Sequence, residues 1–402
     1  MLSKMFLKGT RNASKSQIAE EIESMGARIQ TNVDREMTNL NLDCLKGDVS
    51  RAVAILGDMV SNVALDSAEF ELAKQEQSRV NEAACKDFER HTLESSHYNS
   101  FRDHMMGQPS QGDPDNLQFL STEMLRQYHA ANYTGENIVV VGTGAVDHNS
   151  FVEQVSMAFG DLQKQSNLPR KNSEKCIFTP SLMFMRDDEM YNASVGVFFD
   201  APGVNHEDYY SFELLKRVIG DWNITMAGNL NDQAKQYNAN HTMLGDLIDV
   251  TKQSCHYKAY SDCGLWGSYL FGNEIFVRQM NYVGLHVPVT YGEYMTEVEI
   301  VRARNTYWNE LMKEKFGAEA NIEIGTQMIM SGRRVPRSEI ASRISWADRD
   351  NMRQLCYQWF YDSEPTFTNW GPIESVSCFG SYKYFKVNTI NSLSSSHHSL
   401  ST

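Results

Sequence analysis

The pattern of apolar and polar residues near the start of the chain predicts a helix followed by a strand hairpin. Three apolar residues recur at the spacing of one helix face: Ile18, Ile22 and Met25. Ser14 or Ser16 can cap the start of this helix, and Gly26 can end it. Residues 27–33 and 37–45 then alternate between apolar and polar side chains on either side of a short turn. Two half-buried strands and one helix need a further layer to cover them.

Helix and strand patterns continue along the first half of the chain. Amphipathic or capped segments predict helices over residues 49–63, 67–86, 88–106, 122–133 and 149–162. Residues 108–114 contain two prolines and a glycine and are predicted to form a loop. Residues 138–141 are consecutive apolar residues and predict a buried strand. The polar stretch 163–175 shows neither the helical nor the strand spacing of apolar residues, so we interpret it as a linker and a domain boundary.

The landmarks of the first half return in the second half at a nearly constant offset. The pairs are the hairpin-turn residues Asp34 and Asp262 and the helix-end residues Tyr133 and Tyr361, each 228 residues apart, and the glycines Gly142 and Gly371, 229 residues apart. Strands at 253–260 and 265–271 and helices at 207–219 and 291–315 complete the second half. Landmarks of three kinds at one offset indicate an internal repeat.

The repeat predicts an α+β fold of two homologous domains. Residues 1–168 and 169–402 would be structurally similar halves that superpose, each with helices packed on one face of a mostly antiparallel sheet. The length of 402 residues suits two domains of ordinary size. The Ser- and His-rich residues 391–402 are predicted to fray.

Composition and charge narrow the classes of function. Apolar residues make up 41% and charged residues 22% of the chain, which is ordinary for a soluble globular protein. The net charge of -14 argues against a nucleic-acid partner and permits basic ligands. No apolar run approaches the roughly 18 residues that a membrane-spanning helix needs. The seven cysteines are scattered and never form a C-x-x-C pair, which predicts reduced thiols.

Several segments resemble the pitrilysin-like (M16) metallopeptidases. Residues 8–45 read KGTRNASKSQIAEEIESMGARIQTNVDREMTNLNLDCL, similar to the segment that follows the zinc helix in this family. Residues 332–344 (GRRVPRSEIASRI), 357–374 (YQWFYDSEPTFTNWGPIE) and 260–267 (YSDCGLWG) resemble the branch of the processing peptidase β subunits and core protein 1. The glycine-rich loop of the α subunits is not found. The resemblance covers nearly the whole chain, although Cys263 stands where relatives usually have a less reactive residue.

The resemblance also locates the family's zinc site and shows that its chemistry is lost. Active members carry an H-x-x-E-H helix, in which two histidines bind zinc and the glutamate is the general base. Ser3 stands at the glutamate position, Lys4 stands at the second histidine, and the first histidine would precede Met1. Glu82 matches the third ligand, but one carboxylate cannot hold zinc alone. The resemblance therefore implies an inactive homologue with no catalytic residues, no metal and no cofactor.

The resemblance places presequence-binding residues at two further places. Active β subunits have acidic residues ten and fourteen positions after the ligand glutamate, and Thr92 and Ser96 occupy these positions here. Glu89 and Glu94 lie nearby without an assigned direction. Arg333 and Arg334 match an arginine pair in a region that orients the substrate backbone in active members. The alternative, which we favour from the sequence, is a buried ion pair that braces two helices.

Other motifs have both a functional and a structural interpretation. His91 and Glu94 could share a helix face with His97 or Tyr98 and bind a metal, although helical His/Glu pairs usually lie on solvated faces. Residues 142–144, Gly-Thr-Gly, lack the lysine and further glycine of a phosphate loop, so a plain strand-to-helix turn is favoured. The first nineteen residues contain four basic residues and no acid, which resembles a mitochondrial presequence. The family resemblance assigns residues 8–17 to the mature fold instead.

Two functions follow from the resemblance. The first is a non-catalytic structural subunit of the core protein 1 type in the mitochondrial cytochrome bc1 complex, peripheral on the matrix side of the inner membrane. Its partners would be an α/core 2-like homologous subunit and the other subunits of that complex. The alternative is an active β subunit of the mitochondrial processing peptidase, which cleaves presequences with zinc. The zinc content of the purified chain separates the two.

The resemblance implies one more partner. In the family, two strands and the front of the zinc helix precede the segment that begins at Met1, and they complete the first sheet. Without them the predicted hairpin keeps an unpaired edge or a gap. We expect a strand from another polypeptide to fill it and the isolated chain to be unstable; the alternative is a truncated sequence, which intact mass would reveal.

Overall fold

A computed structural model describes residues 1–166, 174–223, 250–313, 315 and 317–372, and these form two compact units. Unit 1 contains Met1–Lys86 and the described residues of Pro109–Lys175 and Lys313–Val335. Unit 2 contains Asp87–Gln108 and the described residues of Cys176–Met312 and Pro336–Thr402. The predicted boundary after residue 168 and the predicted fraying of residues 391–402 lie outside the described residues. The boundary therefore stays a prediction.

The described residues combine helices and strands, and the predicted α+β class is confirmed. The helices are α1 (Leu2–Met5), α2 (Lys15–Ser24), α3 (Val49–Ser61), α4 (Ser67–Cys85), α5 (Phe88–Phe101), α6 (Thr122–Asn132), α7 (His148–Phe159), α8 (Tyr209–Ile219), α9 (Val277–Tyr294), α10 (Glu297–Met312), α11 (Ala318–Ser331), α12 (Arg337–Ser345) and α13 (Arg349–Phe360). The strands are β1 (Arg28–Val33), β2 (Thr38–Asp43), β3 (Leu182–Arg186), β4 (Asn192–Ala201), β5 (Trp222–Asn223), β6 (Val250–Ala259), β7 (Gly264–Asn273) and β8 (Thr366–Gly371). No helix among the described residues is both long and apolar enough to cross a membrane.

The start of unit 1 folds as its sequence pattern predicts. Ser14 caps α2 in a capping box, with its side chain accepting from the Gln17 amide, and Gly26 ends the helix region with φ 61°. Strands β1 and β2 pair as an antiparallel hairpin. The apolar side chains of α1, α2, α3 and α4 pack into one core. Leu2, Met5 and Phe6 are buried in that core, so the first residues belong to the fold, as the family resemblance implies.

One predicted strand of unit 1 is absent. Residues 138–141 adopt no regular structure, and Val139 is 42% exposed. A strand is stable only when a neighbour accepts and donates its backbone hydrogen bonds, and the only sheet described in unit 1 is the β1–β2 hairpin, which does not pair with these residues. The prediction of a buried strand at 138–141 is therefore wrong for the described chain.

Unit 2 is built on a six-stranded sheet with the order β3-β8-β4-β7-β6-β5. The β3–β8 pair is parallel, and the other described pairs are antiparallel. Strands β6 and β7 form the second predicted hairpin around the turn that contains Asp262. Tyr361 is the C-cap of α13 as Tyr133 is the C-cap of α6, which supports the internal repeat.

Alternate residues of β4 show which helices cover each face of this sheet. On one face, a Cβ atom at Gly284 of α9 would lie 2.6 Å from Val197 Cγ2, and the rings of Phe199 and Phe360 of α13 are 5.2 Å apart. These helices come from the second half of the sequence and share one face, but the prediction that helices cover only one face is wrong for this sheet, because α5 covers the other. The opposite face is covered by α5 from the first half, where a Cβ atom at Gly196 would lie 3.0 Å from Ser96 Oγ.

Unit 1 in turn contains one helix from the second half of the sequence. Helix α11 packs against the hairpin, where a Cβ atom at Gly317 would lie 2.8 Å from Asp43 Oδ1 and the Thr326 hydroxyl donates to Met37 Sδ at 3.4 Å. The bounds of α5 and α11 differ by 230 residues at both ends, close to the repeat offset. Equivalent helices of the two halves are therefore exchanged between the units, which the sequence pattern did not predict.

Two helix predictions in the sequence need correction. The helix predicted over 291–315 is two helices, α9 and α10, separated at Met295 and Thr296 by an N-terminal cap in which Thr296 and Glu299 bond each other. The helix predicted over 88–106 ends at Phe101, because Arg102 adopts a φ of 44° that no helix can contain.

Candidate functional site

The residues at the family's zinc position lie in unit 1, where α1 meets α4. Leu2 and Met5 anchor α1 in the apolar core, and this orientation turns Lys4 toward α4. Lys8 follows in the 3-10 helix Phe6–Lys8 and faces the same helix. The segment thus forms two short helices and presents the Lys4 ammonium group at the position that the resemblance assigns to the second histidine.

Two lysines and two glutamates form a cluster at this position, called here the lysine–glutamate cluster (Lys4, Lys8, Glu69, Glu76). Lys4 Nζ is 3.6 Å from Glu76 Oε1, and Lys8 Nζ is 3.6 Å from Glu76 Oε2. Lys8 Nζ is also 3.9 Å from Glu69 Oε2. Glu76 therefore bridges both lysines, and the two positive charges compensate the two negative charges.

The donor set of this cluster does not fit a zinc ion. Zinc needs lone pairs from imidazole, thiolate or carboxylate groups, and an ammonium group has none and repels a dication. The carboxylates are already compensated by the lysines. Among the described residues, no group of three or more His, Cys, Asp or Glu side chains is arranged to hold a metal. The cluster can join α1 to α4, but it cannot activate water for hydrolysis.

Glu82, the position matched to the third ligand, does not face Lys4. Its side chain is exposed and accepts a hydrogen bond from Ser78 Oγ at 3.5 Å. The carboxylate facing Lys4 is that of Glu76, six residues or about 9 Å earlier along α4. Glu76 is a site residue that the sequence did not lead us to predict. The signal was the spacing of Glu69 and Glu76, which at i and i+7 share one helix face.

The two presequence positions carried over from the family are buried in unit 2. The hydroxyls of Thr92 and Ser194 are 2.7 Å apart, and the Ser96 hydroxyl donates to the Thr92 carbonyl at 2.7 Å. Both α5 side chains are fully buried against β4. They are part of the packing of α5 on the sheet and do not line an accessible surface.

The histidines of α5 are engaged in the interior of unit 2. The His91 ring lies 4.3 Å from the Trp370 ring, and burial lowers the pKa of His91. His97 Nδ1 is 2.7 Å from the Leu93 carbonyl oxygen, and His97 Nε2 is 2.8 Å from the Tyr260 hydroxyl. Both nitrogens of His97 are thus hydrogen-bonded within the protein, and the geometry favours a structural role over metal binding.

Glu89 links the start of α5 to strand β6. Its carboxylate is 2.9 Å from His256 Nε2 and accepts from Lys252 Nζ at 2.5 Å. The hydrogen bond with His256, assisted by that with Lys252 and opposed by burial, lowers the pKa of Glu89 to about 2. The Glu89 carboxylate therefore holds α5 on the sheet through these two bonds.

The E89Q substitution is expected to make the protein less stable at pH 7 and less sensitive to acid. The pKa of Glu89 is lower in the folded state than its ordinary 4.5. Its ionised carboxylate therefore stabilises the fold fully above pH 4.5, and this stabilisation is lost as the pH falls toward 2. Urea unfolding at pH 7 and pH 3 should therefore show a difference between wild type and E89Q that shrinks at pH 3. E23Q, on the exposed face of α2, is the control. An equal difference at both pH values would contradict this role.

Arg333 and Arg334 follow α11 in an exposed turn. The interpretation as a buried ion pair is therefore wrong, because neither side chain is removed from solvent. The Gly-Thr-Gly segment at 142–144 forms neither helix nor strand, and the Thr143 hydroxyl donates to Asn321 Oδ1 of α11 at 2.8 Å.

Comparisons with known proteins agree with the fold. The family model described as insulinase (peptidase family M16) matches residues 1–113, and the model described as the peptidase M16 inactive domain matches residues 120–306. The chain belongs to the M16 peptidase family. As an M16 protein it contains two M16 domains, as the internal repeat predicts.

Relatives of this M16 protein include both functional types of the branch. The mitochondrial-processing peptidase subunit β of Mus musculus is 29% identical over 379 residues, which cover 94% of this chain and 77% of the relative. The cytochrome b-c1 complex subunit 1 of Bos taurus is 26% identical over 386 residues, covering 92% and 76%. A chain of complex III2 from Candida albicans, with Inz-5 bound, has a TM-score of 0.81 and 17% identity, covering 96% of this chain and 88% of that chain. This structural likeness establishes the fold alone.

Proposed function

We propose that this chain is a non-catalytic structural core subunit, of the core protein 1 type, in the mitochondrial cytochrome bc1 complex (complex III). It would be mitochondrial and peripheral on the matrix side of the inner membrane. The observation that carries the proposal is the lysine–glutamate cluster. Lys4, at the position of the family's second zinc histidine, is instead paired with Glu76 at 3.6 Å, and Glu76 also lies 3.6 Å from Lys8.

The alternative function is an active β subunit of the mitochondrial processing peptidase. The 29% identity to that subunit in Mus musculus, against 26% to the bovine cytochrome b-c1 subunit, favours it slightly. The site argues against it, because an M16 hydrolase needs a general base and zinc ligands, and Ser3 and Lys4 supply neither. A pseudo-enzyme keeps the fold of the peptidase while its site residues serve packing and ion pairing.

The partners we propose follow from this assignment. One is an α/core 2-like homologous subunit, and others are further subunits of the complex. A third is a polypeptide that completes the sheet of unit 1. It is supported by the two-stranded β1–β2 hairpin and by residues 138–141, which pair with no described strand. A strand edge with unpaired backbone donors and acceptors is a site for strand addition. The two M16 domains would divide at residues 168 and 169.

We expect the purified protein to contain no stoichiometric zinc and to leave presequence peptides uncut. The test is elemental analysis of the chain, isolated with its natural partners, together with cleavage of a fluorogenic presequence peptide. The physical reason is that the ammonium groups of Lys4 and Lys8 repel a dication and already compensate the carboxylates of the cluster. The proposal would be overturned, in favour of the peptidase, if the chain held one zinc ion that E82Q loses and the cluster variant E76Q keeps. Cleavage of the peptide would then also be lost in E82Q.

The membership of complex III has its own test. A tagged chain purified in mild detergent should bring down a complex with the absorption spectrum of b- and c-type haem, because the proposed assembly contains both cytochromes. Recovery of only an M16 heterodimer without haem would contradict the core-subunit assignment even if the chain holds no zinc.

A further inference from the structure

Two cysteines of unit 2 meet in the interior although 87 residues separate them in the sequence. Cys176 lies in the irregular segment before β3, and Cys263 ends the turn between β6 and β7. Each is 6% exposed, and both belong to one apolar cluster with Phe101, Phe198 and Tyr260. The six described cysteines are free thiols, and Cys378 lies outside the described residues.

The Cys176 and Cys263 thiols are hydrogen-bonded to each other. The backbone around them keeps this contact, because the Cys176 amide donates to Asp262 Oδ2 at 3.0 Å. The segment before β3 is therefore fixed to the residue that precedes Cys263. Neither sulfur takes part in the lysine–glutamate cluster, which lies in the other unit.

The two sides of this contact differ in rigidity. On the Cys263 side, the Tyr260 amide donates to the Cys263 carbonyl at 2.8 Å, and a Cβ atom at Gly203 would lie 3.0 Å from the Cys263 nitrogen. The hairpin turn is thus closely packed. On the Cys176 side, the chain is irregular as far as Leu182 and is held by separate hydrogen bonds, such as that from the Thr179 amide to the Ser100 carbonyl at 2.8 Å. A disulfide needs the sulfurs to approach to about 2.05 Å, and rotation of the two side chains with a small shift of the irregular segment would supply this approach.

We propose that Cys176 and Cys263 form an oxidation site that closes as an intramolecular disulfide when the protein meets a hydroperoxide. In the first step a thiol is oxidised by the peroxide to a sulfenic acid, and the O–O bond breaks with release of one water. In the second step the other thiol attacks the sulfenic sulfur, the S–S bond forms, and the second water leaves with the remaining proton. Two thiols and one hydrogen peroxide give one disulfide and two waters.

The contact between the two thiols also affects the protonation of Cys263. The hydrogen bond with Cys176, followed by burial, raises the pKa of the Cys263 thiol far above its usual range. Cys263 is therefore held as a thiol in the reduced pair. When one of the two thiols carries the sulfenic oxygen, the other is the nucleophile in contact with it.

The test is peptide mapping of the full-length chain after treatment with hydrogen peroxide. A C44S/C85S background removes a half-buried and an exposed thiol that could form links between molecules. We expect a peptide pair joined through Cys176 and Cys263, reversed by dithiothreitol, and a higher melting temperature in the oxidised protein, because the cross-link closes a long loop of the unfolded chain. C356S should leave the linked peptides unchanged, whereas C176S and C263S should each abolish them.

Peptide mapping of a chain that keeps both Cys176 and Cys263 tests the proposal even if a serine variant fails to fold. Recovery of Cys176 and Cys263 as unlinked thiols, or as separate sulfinic acids, under conditions that oxidise Cys85 in the wild-type chain would overturn the proposal. A link from either residue to Cys255, Cys356 or Cys378 would also overturn it.

Discussion

Fragments 1–168 and 169–402, produced separately, are expected to lack a cooperative unfolding transition, and together they should regain one. The reason is the exchange of α5 and α11. Fragment 169–402 loses α5, which buries Thr92 and Ser96 against β4 and donates from Asn99 Nδ2 to the Phe367 carbonyl at 3.0 Å. Fragment 1–168 loses α11 from its hairpin. Each fragment therefore exposes a face that its own residues cannot cover.

Circular dichroism during thermal unfolding of each fragment and of the co-expressed pair measures this effect. The control is an intact chain with a protease site inserted at 167–173 and cut after folding, which should stay associated and melt like the uncut protein. A fragment 169–402 that melts alone, cooperatively and at the temperature of the intact chain would show that α5 is not needed for unit 2.

The G267A substitution is expected to destabilise the protein by about 3 kcal/mol, at the upper end of overpacked core substitutions. A Cβ atom there would overlap the Val197 carbonyl oxygen and lie 2.7 Å from Phe198 Cα. These are backbone atoms of β4, which is held on its other side by β8, so the strand cannot move away without breaking a ladder. The measurement is the urea midpoint of unfolding followed by tryptophan fluorescence.

The matched control for G267A is G47A. A Cβ atom at Gly47 meets nothing within 4 Å, and the change should stay within about 0.5 kcal/mol. Equal midpoints for the two variants would mean that the β4–β7 approach is not as close as described.

Local sequence signals predict the start of the chain almost to the residue. The capping box at Ser14, the helical spacing of Ile18 and Ile22, and the alternation of the hairpin are all decided by neighbours within a few residues. The repeat offset likewise predicts the β6–β7 hairpin, because the same local turn chemistry recurs there.

The remaining features depend on contacts between distant segments. Nothing near α5 in the sequence states that its partner is Ser194, more than one hundred residues later. The apolar run at 138–141 has the composition of a strand, but a strand also needs a neighbour, and composition does not supply one. Glu82 matched a family position, whereas Glu76 is selected by the direction in which the core anchors α1.

The exchange of α5 and α11 also determines when the protein can finish folding as it is made. Asn99 leaves the ribosome 268 residues before Phe367, whose carbonyl oxygen it binds. At about 5–20 residues per second, this separation corresponds to roughly 13–54 s of translation. Throughout this time the buried face of α5 has no complete sheet to cover, and loop closure over such a distance slows the final step. We therefore expect the first half to remain incompletely folded until strand β8 has been synthesised.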